Sequence, residues 1–250
     1  MKFIAFIPSR YASTRLPGKP LLDIGGKPMI QSVYEQVKKA VDDVIVATDD
    51  QRIFDAVEAF GGKAVMTSTN HRSGTDRCHE AFINSGSDAD VIINVQGDEP
   101  FIDPAQIKTI KHCFDQPYTQ IATLVRPFDA DASYESIADP NTPKVVLDCN
   151  NNAIYFSRSA IPFVRNHDKD EWASSTRFFA HIGMYAYRAD VLAEITRLPQ
   201  SPLELAESLE QLRWIENGYS IRAAISTLRT IGIDTPADLE RARKLVENNN

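Results

Sequence analysis

The hydrophobic and polar positions of the chain follow two periods that alternate along its first half. Short continuous apolar runs are typical of strands buried on both faces of a sheet. The runs are Phe3–Ile7, Val44–Ala47 and Val91–Val95. Apolar residues at helical spacing follow each run, beginning near Pro28, Ile53 and Pro104. This alternation predicts an α/β fold with a mostly parallel sheet and helices on both faces.

The stretch from about residue 140 to 190 is less regular and predicts a hairpin-rich insertion on the sheet. Asn150–Asn152 lie between the segments Lys144–Cys149 and Ala153–Phe156, and asparagines favour a hairpin turn. No linker, repeat or low-complexity segment divides the sequence. We therefore expect residues 1–250 to form a single domain.

Two helices are predicted near the end of the chain. One begins at Ser201-Pro202 and ends just before Gly218, with leucines along one side. The other begins at Thr235, a good N-cap residue, with Asp238 in its first turn, where an acid interacts favourably with the helix dipole.

Composition excludes some functions. The 250 residues are 43% hydrophobic and 24% charged, and the formal net charge is −7, which argues against binding to nucleic acid or to an acidic membrane surface. The apolar run at the N-terminus is too short for a signal peptide or a membrane span. Cys78, Cys113 and Cys149 lack metal-site spacing, so they are expected to be free thiols in a reducing compartment. A cytoplasmic location follows.

Ligands of open parallel sheets bind beyond the carboxyl ends of the strands. The loop after the first strand carries Arg10, Arg15 and Lys19 and no acid. Three cations in ten residues of an acidic protein indicate a polyphosphate site, although a solvated basic loop would have the same composition. Neither the P-loop nor the dinucleotide-binding motif is present.

Two acids follow apolar segments and are candidate metal ligands. Asp98 follows the run at 91–95, and Asp234 follows residues 230–233. Magnesium typically takes one or two carboxylates together with phosphate oxygens. Gly97 would let the backbone approach a ligand closely. Alternatively, Asp98 belongs to an ordinary surface turn and Asp234 to the helix cap beside Thr235.

These segments belong to an ordered set of motifs that extends over nearly the whole chain. The motifs are Ala12-Ser13-Thr14-Arg15-Leu16-Pro17-Gly18-Lys19-Pro20, Val95-Gln96-Gly97-Asp98-Glu99-Pro100, Tyr155-Phe156-Ser157-Arg158, His181-Ile182-Gly183, Leu209-Glu210-Gln211-Leu212-Arg213 and Ile233-Asp234-Thr235-Pro236. The set resembles the CMP-KDO synthetases, the 3-deoxy-manno-octulosonate (KDO) cytidylyltransferases, and the later motifs, in this order, are typical of the KDO branch.

The resemblance implies a Rossmann-like nucleotidyltransferase fold, a homodimer and magnesium-dependent transfer of CMP from CTP to KDO for lipopolysaccharide biosynthesis. It implies that nucleotide is bound by Arg10, Ser13, Arg15, Lys19, Thr48, Asp49, Ser73, Gly74 and Thr75. The residues implied for magnesium are Asp98 and Asp234, which with Arg10 and Lys19 form the expected catalytic group. Those implied for the sugar are Gln96, Arg158, His181, Glu210 and Gln211, with Arg158 facing its carboxylate.

Other interpretations stay open on sequence alone. A related enzyme could use sialic acid or an amino-substituted octulosonate, and a non-catalytic nucleotide-binding or glycosyltransferase-like protein could share the sheet. His181 would by itself suit a core histidine, and Glu210 and Gln211 would suit a solvated helix face. Arg158 would suit a surface pair with its neighbouring serine.

Overall fold

The structure is a computed structural model that describes residues 1–12, 16–228 and 232–247. Ser13 and Arg15, both expected to hold phosphates, lie outside the described residues. The chain forms two compact units, one of Met1–Lys108 with Arg229–Asn250 and one of Thr109–Leu228. The single domain expected for residues 1–250 stays a prediction.

Strands and helices alternate along most of the described chain, as the predicted α/β class requires. The strands are β1 (Phe3–Ser9), β2 (Asp43–Thr48), β3 (Ala64–Met66), β4 (Val91–Asn94), β5 (Ile121–Pro127), β6 (Lys144–Leu147), β7 (Ala153–Ser157), β8 (Phe179–Arg188) and β9 (Ile221–Ile225). The helices are α1 (Met29–Lys38), α2 (Gln51–Ala59), α3 (Gly74–Ser85), α4 (Pro104–His112), α5 (Tyr134–Ala138), α6 (Trp172–Ser175), α7 (Ala189–Ile195), α8 (Pro202–Glu207), α9 (Gln211–Glu216) and α10 (Pro236–Glu247).

The first unit contains a parallel sheet. Its strands lie in the order β3, β2, β1 and β4, and each neighbouring pair is parallel. Ala5 lies opposite Val44 on one side and Ile93 on the other, and all three side chains are fully buried. A parallel strand reads as a continuous apolar run because both of its faces are covered. The parallel arrangement predicted for these strands is confirmed.

The covering helices bury the apolar positions that their periodicity predicts. Ile30 and Val33 of α1 are fully buried. Helix α2 begins after Asp50, whose carboxylate accepts a hydrogen bond from the main-chain N–H of Arg52 at 3.0 Å. The chain leaves this helix through Gly61, whose φ of +78° lies in the left-handed region that favours glycine.

The second unit combines parallel and antiparallel pairs. Strand β5 is parallel to β9 and antiparallel to β8. Strands β6 and β7 form an antiparallel hairpin around Asn151, whose φ is +62°. The hairpin predicted within about residues 140–190 is therefore confirmed. It joins β8 where Lys144 pairs with Ala180.

The prediction of a single helix from Ser201 to just before Gly218 is wrong. The chain forms α8 and α9 instead, with a break at Ser208, whose φ is +52°. A continuous helix would need the carbonyl of Glu207 to accept from an amide one turn later. That carbonyl accepts from Nε of Arg158 at 2.7 Å instead, so the guanidinium caps the end of α8 where Ser208 turns the chain. The predicted start is confirmed, because Ser201 forms a reciprocal capping box.

The predicted cap of the last helix is also confirmed. The main-chain N–H of Thr235 donates to the Asp238 carboxylate at 2.9 Å, and the N–H of Asp238 donates to the Thr235 hydroxyl at 3.2 Å. Hydrogen bonds from the Thr235 hydroxyl and from Arg241 hold the pKa of Asp238 well below its usual range. The start of α10 is thus fixed by its own side chains, and Asp234 directly precedes it.

Two composition-based expectations concern the thiols and the membrane. Cys78 and Cys113 are buried, Cys149 is exposed, and all three are free thiols. Across the described ranges, no helix combines the length and the apolar character that crossing a membrane requires.

Candidate active site

A pocket of about 420 Å³ lies in the first unit beyond the carboxyl ends of β1 and β4. Parallel strands bring their carboxyl ends to one edge of a sheet, which is why segments far apart in sequence meet here. The sequence-predicted residues that line the pocket are Arg10, Lys19, Ser73, Gly74, Gln96, Asp98 and Asp234. The structure therefore brings the expected phosphate loop and both expected metal ligands to one cavity.

Lys19 lies between the two acids. Its Nζ is 2.7 Å from Oδ2 of Asp98 and 3.0 Å from Oδ1 of Asp234. The lysine side chain is 15% exposed, while the two carboxylates are 30% and 50% exposed respectively. The main-chain N–H of Ile233 donates to the carbonyl of Asp98 at 3.0 Å, which brings the segment carrying Asp234 beside the turn that follows β4. The acids thus already share one cation.

The loop between Arg10 and Lys19 is closed at its base. The main-chain N–H of Gly18 donates to the carbonyl of Tyr11 at 3.0 Å. Gly18 has a φ of +67°, and a Cβ there would lie 3.1 Å from the Tyr11 ring. The guanidinium of Arg52 stacks on the same ring at 3.3 Å from its centroid. These contacts fix the main chain at the two ends of the loop, next to Arg10 and next to Lys19.

Gly97 lines the pocket and also lies very close to the end of β1. A Cβ at this position would lie 2.8 Å from Oγ of Ser9 and 2.9 Å from the carbonyl oxygen of Pro8. Gly97 therefore lets the turn after β4 pack directly on the end of β1. Next to this turn, burial raises the pKa of Glu99 to about 7, and the charge of Asp98 adds to the effect. Negative charge beside Asp98 is thereby reduced near neutral pH.

The N-terminus of α3 forms another wall of the pocket. Ser73 caps this helix through a hydrogen bond from the N–H of Asp76 to its hydroxyl at 3.1 Å, and Gly74 is the first helical residue. The amino end of a helix carries partial positive charge and outward-pointing N–H groups. Thr75 is buried beneath this end and does not line the pocket.

Asp49 and Thr48 are not among the residues that line the pocket. Asp49 accepts a hydrogen bond from Nη2 of Arg77 at 2.7 Å, and Nη1 of the same arginine donates to the hydroxyl of Thr67 at 2.7 Å. The side chains of Arg77 and Asp49 are only 5% and 14% exposed. The Thr48 hydroxyl accepts from the N–H of Asp50. Asp49 thus orients Arg77, which lines the pocket.

Sequence reasoning missed three basic residues of the pocket wall, namely His71, Arg72 and Arg77. Nε2 of His71 forms a hydrogen bond with the carboxylate of Glu80 in α3. The available signal was two basic residues directly before a Ser-Gly helix start and a third within its first turns. With Arg10 and Lys19, the pocket wall carries four Arg and Lys side chains against the two carboxylates of Asp98 and Asp234, in a protein of net charge −7.

Gln96 lines this pocket, whereas the other sugar candidates belong to the second unit. Arg158, at the end of β7, donates to three main-chain carbonyl oxygens of its own unit, those of Glu207, Pro140 and Ser208. Its side chain therefore has a defined direction and is not the loose surface pair that sequence alone allowed.

His181, Glu210 and Gln211 belong to the second unit and differ in their surroundings. Nε2 of His181 is 3.1 Å from the hydroxyl of Thr123, and its ring packs against that of Tyr185 at 5.3 Å. Burial lowers the pKa of His181 to about 4, so the ring is neutral near pH 7. Glu210 accepts from Arg213 at 2.8 Å. Gln211 is 4% exposed, and its Nε2 has no hydrogen-bond acceptor in the part of the chain that is described.

Comparison of the sequence with known protein families shows the class to which the chain belongs. A family model described as cytidylyltransferase matches residues 4–222. The chain therefore belongs to the cytidylyltransferase family, and within it the chain groups with the 3-deoxy-manno-octulosonate cytidylyltransferases. One of these, from Parabacteroides distasonis, is 64% identical over 99% of both chains, and one from Bacteroides thetaiotaomicron is 61% identical over 99% of both.

A solved structure supports the same grouping. It is described as CMP:2-keto-3-deoxy-manno-octonic acid synthetase complexed with CTP, and it is 47% identical to this chain. The match covers 100% of each chain with a TM-score of 0.91. The nucleotidyltransferase fold and the family resemblance expected from the motifs are confirmed.

Proposed function

We propose that the protein transfers CMP from CTP to the anomeric hydroxyl of KDO and releases pyrophosphate. The hydroxyl oxygen attacks the α-phosphorus in line, and the bond from this phosphorus to the β-phosphate oxygen breaks. Reactions of this type depend mainly on positioning and charge stabilisation and need no covalent enzyme intermediate. The observation that carries the proposal is the meeting of Arg10, Lys19, Asp98 and Asp234 at one basic pocket, in a chain similar over its full length to enzymes of this name.

The nucleotide would lie in the pocket of the first unit. Arg10 and Lys19 would bind the phosphates, since charge-assisted hydrogen bonds to phosphate are about twice as strong as neutral ones. Ser13 and Arg15 remain proposed phosphate ligands on the basis of the motif. The amino end of α3 at Ser73 and the Arg77 guanidinium held by Asp49 would face the nucleoside side.

Magnesium fits the donor set at the pocket. Asp98 and Asp234 offer the oxygen ligands that it prefers, and they already hold the ammonium nitrogen of Lys19 between them. We propose these two carboxylates as its protein ligands. When bound, the ion supplies charge neutralisation at the α-phosphate and lowers the pKa of the attacking hydroxyl. Lys19 would then be released towards the phosphates.

The sugar acid would be recognised by Gln96, Arg158, His181, Glu210 and Gln211. The buried Nε2 of Gln211 supports this assignment, because a buried donor normally has an acceptor and a sugar hydroxyl can supply one. A neutral His181 can accept a hydrogen bond from a hydroxyl, or donate one to it, without adding charge.

The proposal extends to the cellular context that the resemblance implies. The enzyme would work as a homodimer in the cytoplasm and supply activated KDO for lipopolysaccharide. These three statements rest on the family alone.

Pyrophosphate release tests the proposal directly. The assay uses CTP, KDO and magnesium beside matched reactions with UTP, with sialic acid, and with EDTA in place of the metal. Rapid release only with the complete set is expected. Release with sialic acid but not KDO would overturn the sugar assignment, and undiminished release in EDTA would overturn the metal assignment. No release from any pair would refute the proposed transfer.

A further inference from the structure

Lys144 is a lysine without solvent exposure. It is the first residue of β6, where it pairs with Ser157 of β7 on one side and with Ala180 of β8 on the other. Its relative exposure is 0%, and burial lowers its pKa. Lysine is almost never fully buried unless its charge and its donors are satisfied. The partners of the ammonium group therefore indicate what the residue does.

The ammonium group donates to two main-chain carbonyl oxygens. Nζ lies 2.8 Å from the carbonyl oxygen of Asp139 and 2.6 Å from that of Arg158. The charged groups that face it are the carboxylates of Asp139 and Glu207, which favour its charge, and the guanidinium of Arg158, which opposes it. Lys144 thus connects the start of the hairpin to the main chain of Arg158.

Glu207 fixes Arg158 from the other side. Its carboxylate accepts from the main-chain N–H of Arg158 at 2.9 Å and from the hydroxyl of Ser157 at 2.6 Å. The Arg158 side chain donates from Nε to the carbonyl of Glu207, from Nη1 to that of Pro140 and from Nη2 to that of Ser208. A guanidinium has five N–H groups, so one on each Nη has no acceptor within the described chain.

We infer that Lys144 is a positioning residue for recognition of the carboxylate of the sugar acid, acting through Arg158. The inference rests on the proposed function, in which Arg158 binds that carboxylate. Lys144 holds the carbonyl of Arg158 and Glu207 holds its N–H, so both main-chain groups of this residue are hydrogen-bonded in place. The remaining two N–H groups of the guanidinium therefore keep one direction, as two-point binding of a carboxylate requires.

The charge of Lys144 is part of this role. An ammonium supplies three donors from one atom, which lets a single side chain serve two carbonyl oxygens. Its positive charge strengthens both hydrogen bonds. Its charge also offsets that of the carboxylates that face it, Asp139 and Glu207. A methionine of similar length would fill the space without providing either effect.

Lys144→Met tests the inference, with Lys108→Met, an exposed position of α4, as the matched control. Pyrophosphate release gives KM for KDO and for CTP separately, and thermal unfolding reports whether the variant folds. We expect KM for KDO to rise about tenfold or more, because one charge-assisted hydrogen bond has this worth, while KM for CTP changes less than about twofold. The control should match the natural protein in both constants.

A second experiment asks whether the effect passes through Arg158. Arg158→Lys and the double variant with Lys144→Met complete a double-mutant cycle, and residues acting as one unit give a combined loss smaller than the product of the single losses. The methyl ester of KDO, tested as a competitive inhibitor, adds a chemical readout. The natural protein should bind the acid more tightly than the ester, and Lys144→Met should lose most of this preference.

The outcomes separate this inference from the proposed function. If the natural protein does not use KDO, the proposed function falls and the inference falls with it. If KDO is used and Lys144→Met raises both KM values equally, or changes only thermal stability, Lys144 is structural and the inference is refuted alone. Should Lys144→Met not fold, Glu207→Gln weakens the opposite support of Arg158. It must then raise KM for KDO selectively, or the inference is wrong.

Discussion

Replacement of Lys19 by methionine should make the protein bind a divalent cation more tightly when no nucleotide is present. The Lys19 ammonium bonds to both Asp98 and Asp234, at 2.7 and 3.0 Å, and so occupies the position between the candidate metal ligands. A metal ion that enters this position must displace the ammonium. Methionine keeps the length of the side chain but leaves the two carboxylates without their shared cation.

The size of the effect follows from the exposure of the three groups. Hydrogen bonds to charged groups contribute about 1.5–3 kcal/mol when sheltered, whereas exposed ion pairs contribute about 0–1 kcal/mol. Lys19 is 15% exposed, but Asp98 and Asp234 are 30% and 50% exposed, so solvent screening reduces both pairs. We take about 1–2 kcal/mol for displacing the lysine, which corresponds to roughly 5- to 30-fold in Kd.

Manganese provides the assay, because its free and bound forms are distinguished by electron paramagnetic resonance without any turnover. Titration of the nucleotide-free natural protein, of Lys19→Met and of Lys27→Met gives three dissociation constants. Lys27 is a suitable control, since it forms an exposed ion pair with Glu35 in the same unit. The control should bind manganese as the natural protein does. Addition of CTP should tighten binding to the natural protein more than to Lys19→Met.

Equal or weaker manganese binding by Lys19→Met would refute this reasoning. Such a result would mean that the lysine does not compete with the ion, or that Asp98 and Asp234 are not its ligands. Asp98→Asn in the same titration separates the two explanations. If this variant binds manganese as tightly as the natural protein, the ligand assignment is wrong.

Four further predictions use the same structure. Asp98→Asn should lower kcat at least about 100-fold with unchanged thermal unfolding, since it removes charge stabilisation at the reacting phosphate; near-normal turnover would contradict this. Asp49→Asn should lower the free energy of unfolding by about 3 kcal/mol in urea titrations, because it leaves a buried guanidinium without its carboxylate. Gly97→Ala should destabilise by about 1–3 kcal/mol through its clash with β1, whereas Gly183→Ala, where a Cβ meets nothing within 4 Å, should not. In His181→Asn, the free energy of unfolding should fall less between pH 6.5 and 4 than in the natural protein; an identical pH profile would contradict the assignment.

The sign of the histidine prediction follows from its pKa. Burial lowers the pKa of His181 from 6.5 to about 4, so the unfolded chain binds a proton in this interval and the folded protein does not. The free energy of unfolding therefore falls as the pH falls from 6.5 towards 4, by at most about 3 kcal/mol. Glu99 has the opposite sign, since its pKa is raised to about 7. Comparison of the variant with the natural protein cancels that contribution.

Local patterns predict the elements whose causes are local. The apolar runs of β1, β2 and β4 and the reciprocal cap of Thr235 and Asp238 depend on neighbours in sequence, and both are read from it correctly. The helix expected from Ser201 to Gly218 fails because its interruption is caused from outside. The guanidinium of Arg158 takes the carbonyl that the next turn would need.

The same division holds within the candidate site. The rule that ligands bind beyond strand ends selects Lys19 and Asp98, and the structure brings them to one pocket. Arg77 is missed because its function depends on an ion pair with Asp49, and no pattern marks that pairing. Lys144 reads as an ordinary first residue of a strand, and only its complete burial distinguishes it.

Lys19 and Lys144 therefore differ in which step of substrate binding their replacement should change. Lys19 is partly exposed and bonded to carboxylates, so another cation can replace it there, and its loss should alter the binding of ions and of CTP. Lys144 is fully buried and bonded to main-chain carbonyls, so its loss should alter local geometry and affect only the binding of the sugar acid. The two variants should thus have separate kinetic effects, Lys19→Met on metal and nucleotide and Lys144→Met on KDO. If either variant changed both sets of constants equally, the division of the substrates between these residues would have to be abandoned.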